Sequence, residues 1–592
     1  MQKTLTKHEH VFSWKALGWA LIYFWYFSTL LQIIICLTGY SGTNGLRDSL
    51  LFSSLWLIPV FLFPERIKVT AALIGVVLWG TSLAALCYYL IYGQEFSQSV
   101  LFVMFESNTS EASEYFSQYF SLKILFISTI YTAIAILLWT RLSPIYIPSY
   151  WRYIIPLFII YGLILHPVLI NTVVKNRTID NTLGRLASRM EPAAPWQFIT
   201  GYYQYRLQLN SLNRLLEENN ALPALKNFND ISGDTPRTLV LVIGESTQRG
   251  RMSLYGYPRK TTPGLDELYK TEQNMFVFNN VVSSRPYTIE VLQQVLTFAD
   301  EQQPELYLTQ PSLMNIMKQA GYKTFWITNQ QTMTARNTML TVFSRQTDKQ
   351  YYMNQQRTQS AREYDTNVLA PFSEVLADPA PKKFVIIHLL GTHIKYKYRY
   401  PEGQGVFDGD REHAPEGLTD NELELYNDYD NANIFNDHVV ATLIKTFKAT
   451  APDGFLFYFS DHGEEVFDTP PHKMLGRNED TPTRPMYNIP FILWASEKWL
   501  LNRHHTFSEY INRKYSLADF IHTWSDLAGL RYDNYEPERS ILNQHFKEIT
   551  RWIGNPYKKN ALTDYDTLPY AELRVNQASN FRLTWLLVSV LA

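Results

Sequence analysis

Five long apolar runs, none containing Asp, Glu, Lys or Arg, crowd into the first third of the chain at residues 16–40, 49–64, 69–94, 124–140 and 153–174. Each is near the ~20 residues needed to cross a bilayer core. Any one of them could be a buried helix of a soluble domain. Five in succession point instead to a five-helix transmembrane domain. The run at 49–64 is the shortest and carries Pro59, so it is the weakest of the five. No small-residue cleavage site follows a short apolar core, so the first run does not read as a removable signal.

Orientation follows from the distribution of basic residues. With the N-terminus inside, the inner segments hold Lys3, Lys7, Lys15, Arg66, Lys68, Arg141 and Arg152. The outer loops hold Arg47 and, at a membrane edge, Lys123. Five crossings then carry everything after residue 174 out of the cytoplasm, which in a bacterial inner membrane means into the periplasm. The outer loop at 95–121 has four Glu and neither Lys nor Arg.

The expected organisation is a transmembrane domain at 1–174, a polar linker at 175–235 and an exported domain at 236–592. Within the linker, aromatic and leucine residues recur at helical spacing over 196–216. This predicts an amphipathic helix, either lying on the membrane or on the surface of the exported domain. The two cysteines, Cys36 and Cys87, fall inside predicted spans, so no disulfide can staple the exported part. A net charge of −2 excludes a nucleic-acid binder.

From residue 237 onward short apolar strands alternate with helices. Strands are predicted at 238–243, 276–282, 323–328, 384–389, 455–459 and 489–493. Helices are predicted at 289–298, 312–319, 362–376, 421–448 and 517–527. Strands apolar throughout and separated by helices predict a mostly parallel sheet covered on both faces, an α/β/α sandwich.

Two of these strands end in metal-ligand chemistry. The strand at 455–459 runs into Ser460-Asp461-His462-Gly463-Glu464, and that at 238–243 into Gly244-Glu245-Ser246-Thr247. Open α/β sheets bind ligands at the C-terminal lip of their strands, and adjacent oxygen and nitrogen donors suit a zinc-type ion. Glu245, Asp461 and His462 are the candidates. A fourth ligand is expected from a hydroxyl. Thr288, read as the N-cap of the 289–298 helix, would sit where free backbone N–H groups and the helix dipole favour negative charge. Metal coordination there would lower its pKa and make it a nucleophile. A plain helix cap is the alternative role. His393 follows the end of the 384–389 strand, and His472 lies in a Pro-rich loop ten residues after His462. Either could bind a second metal, contact phosphate, or act as general acid and base. His388, inside its strand, reads as a core residue.

These segments, together with Arg251-Met-Ser-Leu-Tyr-Gly-Tyr-Pro-Arg259 and His388-Leu-Leu-Gly-Thr-His393, resemble the bacterial phosphoethanolamine transferases, inner-membrane enzymes of the alkaline phosphatase/sulfatase superfamily. The resemblance covers nearly the whole chain. Arg285-Pro-Tyr-Thr-Ile-Glu290 and Tyr396-Lys-Tyr-Arg-Tyr-Pro401 are similar to the branch that modifies a heptose of the lipopolysaccharide core. It implies a zinc site of Glu245, Thr288, Asp461 and His462, with one tightly bound ion and the count of a second left open. Thr288 would carry the phosphoethanolamine, with His393 and His472 at the phosphate or a second zinc. Asn329 and Glu464 would contact substrate, and Asn108, Glu111 and Glu114 would reach the lipid head group. An acidic loop also suits a cationic ethanolamine on physical grounds. The donor would be phosphatidylethanolamine, the acceptor a lipopolysaccharide, and the enzyme a monomer. Relatives that modify lipid A carry disulfides in the exported domain, so the missing cysteines favour the core-modifying branch.

Three rivals remain on sequence. Ser284-Arg-Pro-Tyr-Thr288 approaches a sulfatase pattern but has Thr where that pattern needs Arg. A glycerol-phosphate transferase shares the fold and the spans. A non-catalytic membrane scaffold would be expected to have lost metal ligands, and here all four are present.

Overall fold

The structure, a computed structural model, describes residues 12–37, 43–92, 96, 100–101, 104–105, 107, 121–148, 150–175, 179–218, 225–330, 339–354, 363–501, 507–558 and 560–569. Five helices in it are long and apolar enough to cross a membrane: α1 Trp14–Leu37, α2 Asn44–Leu62, α3 Pro64–Ile91, α4 Leu122–Thr140 and α5 Trp151–Val174. They match the five apolar runs. The weak second run is helical but tightens into a 3-10 turn at Ser54–Trp56. Pro59 explains it, because a proline has no N–H to bond back one turn to the Leu55 carbonyl.

The chain divides into two compact units, Met1–Asn213 and Arg214–Ala592. In the first, Ala16, Ala20, Tyr23 and Phe27 of α1 bury against Ala71 and Leu78 of α3 and Tyr131 and Ala135 of α4. Small residues permit this close approach, as is usual between membrane helices. Tyr23 donates its hydroxyl to the Ala71 carbonyl at 2.9 Å. A Cβ on Gly75 would stand 1.9 Å from that hydroxyl, so any other residue there would displace the Tyr23 ring. After α6 (Ile179–Met190), the amphipathic segment forms helix α7, Trp196–Glu218. Its start is fixed on the membrane helices: Trp196 stacks on Trp56 with ring centroids 5.3 Å apart. Gln197 also donates to the Phe96 carbonyl at 3.0 Å.

The second unit is built on a seven-stranded sheet. Its strands are β1 Arg237–Gly244, β2 Met275–Val277, β3 Lys323–Thr328, β4 Lys349–Tyr352, β5 Lys382–His388, β6 Gly454–Ser460 and β7 Phe491–Ala495. The spatial order is β2-β7-β6-β1-β5-β3-β4. The pairs from β6 through β1, β5 and β3 to β4 are parallel, whereas β7 runs antiparallel to both neighbours. The 276–282 strand is shorter than its apolar pattern suggests; Val281–Val282 leaves the sheet to pair with Tyr515–Ser516.

Strand alternation explains the layers. Leu239, Leu241 and Ile243 enter a core with Val291 and Leu292 of α8 (Thr288–Val295) and with Phe520 and Trp524 of α10 (Phe520–Ala528). Val240 and Val242 face the opposite core, with Val440, Leu443 and Phe447 of α9 (Asp420–Ala449). Helix α9 opens with a capping box between Thr419 and Glu422. The α/β/α sandwich expected from the sequence is present.

Candidate metal centre

The register of the three central strands builds the site. Gly244 of β1 pairs with Ser460 of β6, so Glu245 and Asp461 leave the sheet side by side. Ile243 pairs with His388 of β5, which brings the 389–393 segment to the same lip. Backbone bonds lock the strand ends together, from Asp461 N to Gly244 O at 3.0 Å and from Thr392 N to Glu245 O at 3.0 Å. Gly391 permits the last contact. Its φ is +55°, and a Cβ there would meet Glu245 O at 2.5 Å and Glu245 N at 2.7 Å. Gly391→Ala is therefore expected to cost about 1–3 kcal/mol, with the thermal midpoint and the bound zinc per chain falling together.

Ligand atoms of Glu245, Asp461 and His462 all lie within 4.8 Å of one another, and all three residues are buried. His462 Nε2 is 3.2 Å from Glu245 Oε1 and 3.5 Å from Asp461 Oδ2. Asp461 Oδ1 accepts from Ser246 N at 3.2 Å and His462 N at 2.7 Å. Its Oδ2 is buried with no hydrogen-bond partner among the described residues. His462 Nδ1 sits 2.8 Å from Gly463 O, which fixes a proton on Nδ1 and turns Nε2 toward the carboxylates. Two carboxylate oxygens, one of them the orphaned Asp461 Oδ2, and an imidazole nitrogen make a donor set that fits zinc.

Thr288 joins this group. Its Oγ1 donates to Glu245 Oε2 at 2.8 Å and lies 3.5 Å from His462 Nε2. One detail of the sequence reading needs correction. Thr288 is the first residue of α8, not its N-cap, which is Tyr287 with extended backbone. The threonine hydroxyl therefore turns across to Glu245 and does not cap its own helix. A buried ion pair between Arg285 and Glu479 at 2.6 Å holds the preceding turn.

The electrostatics reflect crowded acids. Burial would raise the Glu245 carboxyl, but His462, His393 and Arg477 outweigh it and hold Glu245 well below the usual range. Burial and the adjacent Glu245 push Asp461 up to about 7. Like charges this close call for a cation between them. Burial also keeps His393 and His388 neutral, at about 3 and about 4. His393 is near enough to feel Glu245 and His462. His388 is fully buried against Trp326, with ring centroids 6.1 Å apart, as a core residue should be.

The remaining candidates are spread more widely. Glu464 is buried, and its Oε2 lies 3.3 Å from Arg477 Nε. Asn329 is buried at the same lip and gives its amide to Asp365 at 2.9 Å and to the Glu363 carbonyl. Asp365 in turn accepts from Leu390 N and Gly391 N, so Asn329 braces the loop that carries His393. His472 bonds the Phe467 carbonyl through Nδ1 at 2.7 Å, and no bond among the described residues ties it to the trio. Asn108, Glu111 and Glu114 lie outside the described residues.

Sequence reasoning missed Gln330 and Arg477. Gln330 Nε2 donates to Leu389 O at 2.9 Å and reaches Glu245 Oε2 at 3.3 Å. Arg477 Nη1 donates to His462 Nε2 at 2.6 Å. A short antiparallel ladder between Glu465–Val466 and Leu475–Gly476 pairs Gly476 with Glu465, which sets Arg477 opposite Glu464. Strands that short leave no periodic signal.

A family model described as Sulfatase matches residues 237–530. The chain is 75% identical, over 98% of its length, to Phosphoethanolamine transferase EptC of Escherichia coli (strain K12), the whole of which is covered. A crystal structure of the C-terminal periplasmic domain of EcEptC from Escherichia coli, in complex with Zn, superposes with a TM-score of 0.59 at 77% identity, covering 59% of this chain and 98% of that one. Lipooligosaccharide phosphoethanolamine transferase A (EptA) from Neisseria meningitidis, an integral membrane protein, superposes with a TM-score of 0.60 over 88% of this chain and 98% of its own. At 19% identity that likeness is one of fold. The chain is thus a multi-pass membrane protein with a C-terminal α/β/α domain of the alkaline phosphatase/sulfatase superfamily, and it belongs to the phosphoethanolamine transferase family.

Proposed function

We propose that this protein transfers phosphoethanolamine from phosphatidylethanolamine to a sugar of lipopolysaccharide, a core heptose, through a covalent intermediate on Thr288. The observation that carries this reading is the Thr288 hydroxyl, 2.8 Å from Glu245 and 3.5 Å from His462, at the first turn of α8. Glu245, Asp461, His462 and Thr288 would hold the zinc, which when bound withdraws electron density from the hydroxyl and the attacked phosphoryl group.

Thr288 gives its proton toward Glu245 as Oγ1 attacks phosphorus. The bond from phosphorus to the glycerol oxygen breaks, and diacylglycerol departs with one proton. In the second half, a sugar hydroxyl attacks the same phosphorus, loses its proton, and Thr288 leaves with its oxygen reprotonated. Backbone N–H groups at the start of α8 face the negative phosphoryl oxygens. The proton left on Glu245 passes to the departing glycerol oxygen, and in the second half the proton of the sugar hydroxyl returns through Glu245 to Thr288 Oγ1. His393, held neutral by burial beside Glu245, is suited to take up the sugar proton on the way. His472 is the second histidine assigned to the phosphate. Glu464 contacts the substrate and Asn329 braces the rim, and by the family resemblance Asn108, Glu111 and Glu114 serve the lipid head group. The protein acts as a monomer in the bacterial inner membrane, with 1–174 spanning it, 175–235 bridging and 236–592 in the periplasm. Support for the membrane side comes from the basic residues of the inner segments.

The test uses purified full-length protein incubated with phosphatidylethanolamine, phosphatidylglycerol or a sulfate ester. Peptide mass mapping should find phosphoethanolamine on the Thr288 peptide with the first donor alone. An adduct from phosphatidylglycerol, or sulfate release, would replace this reading with a glycerol-phosphate transferase or a sulfatase.

A further inference from the structure

The Arg477 guanidinium is a charged side chain at the site for which the roles assigned so far give no use. It is 3.8 Å from Glu245 Oε1 and 2.6 Å from His462 Nε2 through Nη1, and 3.3 Å from Glu464 Oε2 through Nε. It also lies over the Tyr287 ring, 6.0 Å from its centroid, and within 3.5 Å of the Pro286 carbonyl. It therefore borders the turn that delivers Thr288. The Thr288 hydroxyl and the guanidinium both stand within 3.5 Å of the same imidazole nitrogen. Nη2 has no bond among the described residues, and 16% of the side chain is exposed. The fork is thus anchored on one side and accessible on the other.

Building on the reading of Thr288 as nucleophile, we propose that Arg477 is a further catalytic residue, binding the non-bridging oxygens of the phosphodiester as Thr288 attacks and again as the acceptor hydroxyl attacks. A guanidinium is permanently charged, planar and matched to two phosphoryl oxygens at once. Negative charge on those oxygens persists through phosphoryl transfer, and a positioned cation stabilises it. Glu464 orients the fork through Nε and leaves Nη2 to the substrate; Nη1, now on His462 Nε2, would be released to it once that nitrogen is ligated to zinc. The alternative is purely structural: Arg477 would serve only to neutralise the buried Glu464.

Three variants separate these roles in the zinc-loaded, full-length protein: Arg477→Lys, Arg477→Met, and Arg477→Met combined with Glu464→Gln. The ligand probe is inorganic phosphate, measured by calorimetry, with zinc per chain and thermal midpoint as controls. Phosphate affinity should fall at least about tenfold in both single variants, and the diacylglycerol burst by about 10²–10³-fold. Lysine should recover only part of either, because it is a point charge without the fork. The double variant removes the uncompensated carboxylate, so a structural role would restore phosphate binding and Arg477's catalytic role would not. Native phosphate affinity in Arg477→Met or in the double variant overturns the proposal. Thr288→Ala run alongside keeps the two readings apart: persistence of its adduct would sink the nucleophile assignment, whereas phosphate binding reports on Arg477 alone.

Discussion

Thr288→Ala is expected to lower phosphoethanolamine transfer by at least about 10⁴-fold and to abolish the covalent adduct, because loss of a nucleophile leaves only binding and electrostatic effects. Thr288→Ser should retain measurable transfer, since the hydroxyl stays within reach of Glu245, which now accepts from it at 2.8 Å. Serine lacks the γ-methyl and is freer about χ1, so a loss of about tenfold is expected from poorer positioning. The checks are diacylglycerol release, acceptor modification and peptide mass. A structural cap would behave otherwise. Its loss would cost about 1 kcal/mol of stability with activity largely kept, and that pattern would remove Thr288 from the mechanism.

Asp461→Asn is expected to abolish stable zinc binding and, with it, turnover. Asp461 supplies a buried, otherwise unpartnered Oδ2 to the trio, and an amide is a far poorer ligand than a carboxylate. Zinc stabilises the native protein by mass action, by about 2.7 kcal/mol when free zinc is 100 times the dissociation constant. The loaded native protein should therefore melt above Asp461→Asn, and a chelator should lower the melting of the native protein alone. The order should then invert. In metal-free protein, burial and Glu245 hold the Asp461 pKa up at about 7, above its ordinary 3.8. The folded state then binds that proton more tightly than the unfolded state. Its contribution is fully present below the ordinary Asp range and is lost as pH rises toward about 7. Metal-free native protein should accordingly be less stable at pH 8 than at pH 5 through this group, and Asp461→Asn should flatten that slope. Thermal midpoints of both proteins at the two pH values, with and without zinc, decide the matter. A native protein indifferent to chelation would rule out a structural contribution from zinc at this site.

The amino-acid sequence by itself determined the membrane helices, the class of the soluble domain and the meeting of Glu245, Asp461 and His462 at the sheet's rim. Uncharged runs of bilayer length leave little choice but to span, and all-apolar strands such as Arg237–Gly244 and Gly454–Ser460 must be covered on both faces. Parallel strands end at one lip, so the sequence alone brings Glu245, Asp461 and His462 together. The edge strand Lys349–Tyr352 escaped notice because its sequence, KQYY, is polar and only half-buried. Helix Pro263–Thr271 escaped because its nine residues give fewer than three turns of pattern. Only the tertiary structure decided that Thr288 opens its helix with its hydroxyl turned to Glu245, that Asn329 braces Asp365, and that Arg477 closes the site beside Glu464. Those placements depend on strand register and a short two-stranded ladder, which join residues far apart in the chain and leave no local periodicity to read.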